Sequence, residues 1–497
     1  MASRLTTLIV VSIVAATFIA GIITRAQRDD TGPIDLIVLN GKVYGGRGTR
    51  TAEAVAVRGN TIVSVGSNRE IKRLRRPQTT VIDAHGGSVL PGFNDPHVDL
   101  VAGGLELLQA DLSGATADDL DDRLLAHATT RTGDDWILGR GLSADVLDPG
   151  RTPRAQLDAI VPDRPVLVAA ADGQTAWANS PALKLAGITR RTRAPKRGVI
   201  GRSADGEPSG LVKDAAVGLI RAAVPEPDHL ERLDALRLAV GEAHRLGITS
   251  VQNASDDAET LDLLDGLRVK GELRLRTYHA VRAGSDATDA ELETLEATRR
   301  EHEDDPLLKA GSVELDAGDF RTLGRLTQVV TLFDKRGWQV WILAGSEEAA
   351  GMALDALEAA SRANPAPARG GRHRVEYAGA LDPETLQRAA RLGVITTPGS
   401  SWPAAPLDPR LRLRDAASAE AHESSTPVET AIDAYTSGAA FASFDEQRKG
   451  RLARGMLADI VILSGDIFGT PVERLLDVTV ETTIFDGEVV YSRAESE

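Results

Sequence analysis

Residues 91–100 read PGFNDPHVDL and place His97 and Asp99 two positions apart at the end of an apolar run. On a β-strand, positions i and i+2 share one face. An imidazole and a carboxylate so placed can both reach one divalent cation, because histidine nitrogen and aspartate oxygen both ligate zinc. Two histidines would be the more usual pair at this spacing. The motif is therefore an altered version of such a site.

Other chemistries find little support. No Gly-x-Ser-x-Gly turn is present to expose a serine nucleophile. GRGLSADVLDPG lacks the lysine and the strand–turn–helix context of a phosphate loop. With no cysteine, disulfides, thiolate nucleophiles and cysteine metal sites are excluded. The net charge of -15, from 57 basic and 72 acidic side chains, argues against a nucleic-acid partner, which would need a basic face. A small-molecule substrate or ligand stays open as a partner. The acidic run DATDAELETLEATRREHEDD reads as a solvated helix face. Trp338 and Trp341 read as packing residues.

The elements that must position His97 alternate along the chain. Strand-like runs include ITSVQN, LRLRTYHAV, SVELDAG, QVWILAG, HRVEYAG and VITTPG. Helices with end signals lie between them. Asp228 precedes one that stops at Gly247, Ser346 precedes another, and Asp382-Pro383 opens a third that stops at Gly393. Repeated βα units point to an α/β fold with a parallel sheet closed into a barrel. Residues 35–90 and 448–493 are instead β-rich, with turn signals at Asn40-Gly41 and Asp486-Gly487. The two chain ends are expected to build one small β-sandwich domain. The barrel is expected over 91–447, with an inserted lobe at about 133–215.

Several blocks carry a resemblance to a known family. VIDAHGGSVLPGFNDPHVDL, DDWILGRGL, DGQTAWANSPAL, GWQVWILAGSEEAAGMALDALEAA, RHRVEYAGAL and GRLARGMLADIVIL occur in order. Together they resemble the amidohydrolase family, in its long YtcJ-like branch, over roughly residues 35–493. The resemblance implies a (β/α)8 TIM-like barrel beside a small β domain. It also implies a zinc-like divalent metal at the barrel mouth and hydrolysis of non-peptide C–N bonds.

Measured against that pattern, this chain departs at most ligand positions. Glu314 stands where the family has a lysine, Leu343 and Tyr377 where it has histidines, and Gln174 where a substrate-facing histidine is usual. Lys213 falls where the family covers the site. The Ser-Asp pair that ends the last strand and supplies the general base is not found, and there is little room for that strand, which is expected to be incomplete. His97, Asp99 and Glu314 remain as a vestigial ligand set, and Gln174, Lys213, Leu343 and Tyr377 as pocket residues. Alternation along RVEY is expected to turn Glu376 away from the mouth. The expected outcome is a metal lost or weakly bound and an impaired or inactive copy. The alternative is a membrane-tethered hydrolase with a reduced one-metal site at His97, Asp99 and Glu314.

Residues 5–24, LTTLIVVSIVAATFIAGIIT, carry no charge and are followed by Arg25 and Arg28. Twenty helical residues rise about 30 Å, one bilayer core. A membrane anchor or a signal peptide within residues 1–30 is expected, which places the protein at a bacterial-type inner membrane or beyond it. Deleting residues 1–30 should release a soluble, folded protein. Loss of the cooperative unfolding transition in that truncation would put the segment in the core instead.

Overall fold

The computed structural model describes residues 32–493, apart from 47–51, 131–135, 256–258, 287–288, 304, 378–380 and 399–426. The apolar run at 5–24 therefore lies outside the described residues. So does most of the stretch in which the last barrel strand and its Ser-Asp pair were sought. Among the described residues, no helix is long and apolar enough to cross a membrane.

Seven parallel strands form the central sheet. They are β1 (Phe93–Val98), β2 (Ile248–Ser255), β3 (Arg276–Arg282), β4 (Leu308–Asp316), β5 (Gln339–Ala344), β6 (Arg374–Tyr377) and β7 (Ile395–Pro398). Each pairs with the next in chain order, so the sheet runs from β1 to β7 without a crossover. Helices follow most strands, as the alternating pattern requires. With its helical cover this is a TIM-like (β/α)8 fold, nearly closed by the strands described.

The helices begin and end where side chains satisfy their free backbone groups. His229–Arg245 starts at Asp228, whose Oδ1 accepts from Leu230 N and Glu231 N, both at 2.9 Å. Glu231 closes the reciprocal capping box. Ser346 caps Glu347–Ala363 by accepting from Ala349 N, and Asp382 caps Pro383–Leu392. That last helix ends at Gly393 in the left-handed conformation, φ 66°, which suits glycine.

The outward faces of the strands are apolar because helices cover them. Val313, Leu315, Val340, Ile342 and Val375 pack with Leu326, Val329, Val330 and Phe333 of Leu323–Lys335, and with Leu354 and Leu357 of Glu347–Ala363. Each such buried side chain contributes about 1.5–3 kcal/mol. The inward faces mix buried polar groups with a small apolar cluster. Trp338 belongs to the outer layer, whereas Trp341 lies inside the barrel beside Tyr278 and Ala280.

The β-rich chain ends meet. Ser88–Pro91 pairs antiparallel with Ile460–Leu463, and Val480–Phe485 extends the same five-stranded sheet. A four-stranded sheet built from Leu36–Leu39, Ala54–Arg58, Thr61–Gly66 and Thr80–Asp83 shares a core with it. Between β1 and β2 a six-stranded sheet is inserted. It begins at Ala110, earlier than the Pro- and Gly-rich stretch suggests, and ends at Asp214.

Arg276, at the start of β3, fastens the barrel to the C-terminal strands. Its guanidinium is buried and meets Asp459 at 2.7 and 3.1 Å and Asp486 at 2.6 Å. Removing one partner of such a buried set leaves uncompensated charge. Arg276→Ala should lower unfolding stability by about 3–5 kcal/mol. Denaturant titration checks this, and a loss below about 1 kcal/mol would show that the pairing contributes little.

Candidate metal centre at the barrel mouth

Three donors from three strands converge near the C-terminal ends of the barrel strands. His97 comes from β1, Glu314 from β4 and Glu376 from β6, and one ligand atom of each lies within 4.8 Å of the others. The C-terminal mouth is where this fold places its chemistry. Glu314 and Glu376 are buried, and His97 is nearly so.

The group is tied together by charge. His97 Nδ1 contacts Glu376 Oε2 directly. Glu376 Oε1 lies 3.5 Å from Arg374 Nη1 and accepts from Thr397 Oγ1 at 3.3 Å. Arg374 and Glu376 have no exposed surface. The Arg374 guanidinium donates to the Pro96 carbonyl at 3.0 Å and to Gln252 Oε1, and it lies over the Trp341 ring at 4.1 Å. At the rim, Arg282 lies 3.6 Å from Glu314 and also faces Asp316 and Asp319.

Burial alone would lower the His97 pKa, but the Glu376, Glu314 and Asp95 carboxylates outweigh it and the net shift is upward. Burial pushes Glu376 the other way, and His97 and Arg374 overcome it, so its carboxyl is held below its usual value. Burial pulls Arg374 down to about 10, against the attraction of Glu376, which leaves it charged at neutral pH.

The structure corrects three expectations. Glu376 points into the barrel, not away from it. Val375 and Tyr377 carry the outward face of β6, and Tyr377 packs on the helical layer rather than lining the mouth. Asp99 is not a member of the three-donor group. β1 ends at Val98, and Asp99 caps the next helix, its Oδ1 accepting from Ala102 N at 3.0 Å. Leu343 is half-buried and in register with Glu376 on β6 and Asp316 on β4. Gln174 and Lys213 are both exposed, at one end of the paired strands Thr175–Ala178 and Pro208–Asp214 of the inserted sheet.

Glu376, Arg374 and Arg282 were missed by sequence reasoning, although a signal for the first two existed. Helices cover the outer face of a parallel barrel strand, so it must be apolar. In RVEY only Val375 and Tyr377 can meet that need, which leaves Arg374 and Glu376 for the interior.

The donor chemistry fits one divalent cation. One imidazole and two carboxylates suit a borderline metal ion and leave a coordination position open. The same carboxylates already face guanidinium groups, which compete for their charge.

The chain matches the amidohydrolase family over residues 80–398 and 395–491, and it belongs to that family. It is 28% identical to the putative amidohydrolase YtcJ of Bacillus subtilis, across 90% of this chain and 97% of that one. It is 29% identical to an N-substituted formamide deformylase of Arthrobacter pascens, across 46% of this chain and 44% of the relative. Among solved structures, an uncharacterized metal-dependent hydrolase from Pyrococcus furiosus superposes with a TM-score of 0.65 at 21% identity, covering 87% of this chain and 99% of that one. The particular branch is the YtcJ-like one.

Arg374→Met should cost up to about 3–5 kcal/mol, because the buried Glu376 charge would lose one of its two cationic partners and keep only His97 and the Thr397 hydroxyl. The double variant Arg374→Met with Glu376→Gln should recover part of that loss. Denaturant melts of the two single variants and the double variant measure the coupling, and strictly additive effects would show that the pair does not act as a unit.

Proposed function

We propose that this chain is an amidohydrolase-family protein in which fixed ion pairs have replaced most of the metal's charge. Metal-assisted C–N hydrolysis is lost or strongly reduced, and the mouth remains as a small-molecule binding pocket. One observation carries the reading: the buried Arg374 holds Glu376, and Glu376 holds His97. A divalent cation entering there would have to displace or tolerate a guanidinium that cannot leave.

A second reading is favoured by the three convergent donors. His97, Glu314 and Glu376 would hold a single divalent ion. Such an ion lowers the pKa of a bound water and polarises a carbonyl. In that arrangement Arg374 orients Glu376, Thr397 donates to the same Oε1 that faces Arg374, and Arg282 steadies Glu314 at the rim. A proton acceptor for the attacking water is the part with no assigned residue.

Metal content after dialysis, measured together with hydrolysis, separates the two. N-substituted formamides and N-acyl compounds are the first substrates to try, since one relative is a formamide deformylase. The expected result is well under one equivalent of zinc, manganese or nickel per chain, and no hydrolysis above background. Stoichiometric metal with chelator-sensitive hydrolysis, abolished by His97→Ala, would overturn the first reading in favour of the second. Arg282→Gln removes one competing cation at the partly open rim and should tighten zinc or cobalt binding several-fold.

The apolar run at 5–24 supports one further part of the proposal, attachment to or export across a bacterial-type membrane. Cell fractionation with and without residues 1–30 tests it.

A further inference from the structure

We propose that the opposite, N-terminal end of the barrel binds a small monovalent anion of halide size, between Tyr278, Arg299, Lys309 and Arg369. The site is separate from the mouth. Lys309 lies five residues before Glu314 on β4, a distance of roughly 16 Å along the strand.

A cavity of about 20 Å³ opens there, lined by these four residues together with Gly311, Phe444 and Glu303. It exceeds the roughly 10–15 Å³ that one water needs and leaves no room for the oxygens of a phosphate. Two buried donors at this place make no well-formed hydrogen bond: the Arg299 Nε–H and the Tyr278 hydroxyl, which has only Ser312 close to it. Buried donors without acceptors are costly, so such atoms call for an explanation. The phenol end of Tyr278 reaches the cavity wall at Gly311. A Cβ at position 311 would lie 3.0 Å from the Tyr278 hydroxyl, so glycine leaves the space that the phenol fills.

The surrounding charge is mainly positive. Arg299 also lies over Trp338 and donates to the Arg336 carbonyl at 3.0 Å, which fixes its position. Arg369 lies over Phe444 and donates to the Gly337 carbonyl at 2.9 Å. Lys309 is shared with Asp445 at 2.9 Å, and Asp445 also faces Lys449. Among the described residues, Glu303, exposed at the rim, is the one lining carboxylate. A water would accept from Tyr278 and Arg299 but would need acceptors for its own hydrogens. A halide needs donors alone, and the buried side chains of the cavity are mainly donors, with Glu303 at the exposed rim and the Ser443 carbonyl, which faces Lys309, as acceptors.

The test uses the full chain and sodium chloride or bromide as the probe. Crystals grown in bromide should give an anomalous peak in this cavity. Melting temperature should rise by roughly 2–4 °C between about 10 and 300 mM chloride and saturate, relative to gluconate at equal ionic strength. Tyr278→Phe keeps the ring, removes one donor, and should weaken the chloride dependence. Arg299→Met should do the same by removing the other. Water density without an anomalous peak, or identical melting in chloride and gluconate, would overturn the proposal.

Discussion

A guanidinium with no exposed surface sits inside the barrel, and the mouth is organised around keeping it charged. Arg374 is held by Glu376, the Pro96 carbonyl, Gln252 and the face of Trp341. Such a charge is tolerated only with close partners, and here they engage the terminal nitrogens while the buried Nε has no hydrogen-bond partner among the described residues. Each partner is then recruited in turn. Gln252 is anchored at its other end, where Nε2 donates to the Ala439 carbonyl at 2.8 Å. Trp341 donates from Nε1 to Gln339 at 2.9 Å, and Gln339 reaches the Ala442 carbonyl at 2.9 Å. The polar interior is thus one chain of contacts running from the mouth to the segment 439–442 that closes the floor.

That floor is itself fastened by charge. Lys449 donates to Ser250 at 3.0 Å inside β2, and Lys309 pairs with Asp445. The outer layer works differently. Between strands and helices the contacts are apolar, and the energy comes from area removed from water. A strand such as β6 serves both layers at once, Val375 and Tyr377 outward, Arg374 and Glu376 inward. Shifting its register by one residue would bury both charges against the helices, so the charged pair also fixes register.

What was legible in the sequence follows the range of the interaction. The caps at Asp228, Ser346 and Asp382 are local, and the residue types that satisfy helix ends within three positions announce them. The barrel itself was legible from repeated βα units and from the ordered family blocks. His97 and Glu314 were singled out because each is a ligand-capable side chain at a family ligand position, although Glu314 stands in place of a lysine. Tyr377 and Glu376 were exchanged, because the family position was given more weight than the apolar face that helical cover demands. Asp99 was read as a strand residue, and only the point at which β1 gives way to a helix turns its carboxylate into a cap. Arg282 meets Glu314 across two strands 32 positions apart, and no spacing rule in one sequence encodes that.

The difference between a metal and a guanidinium decides what such a mouth can do. Both stabilise carboxylates, and both can orient a carbonyl. A divalent ion also carries an exchangeable water and lowers its pKa towards neutrality, which supplies a nucleophile. An arginine offers only fixed donors and a single delocalised charge. Replacing one with the other preserves walls, polarity and shape while removing the nucleophile. Under the proposed reading, the walls of the mouth are kept while metal-assisted hydrolysis is lost. Arg374 is attached covalently and cannot be stripped from the site by dialysis or chelation. In this chain the charge that holds His97 and Glu376 together is written into β6 itself.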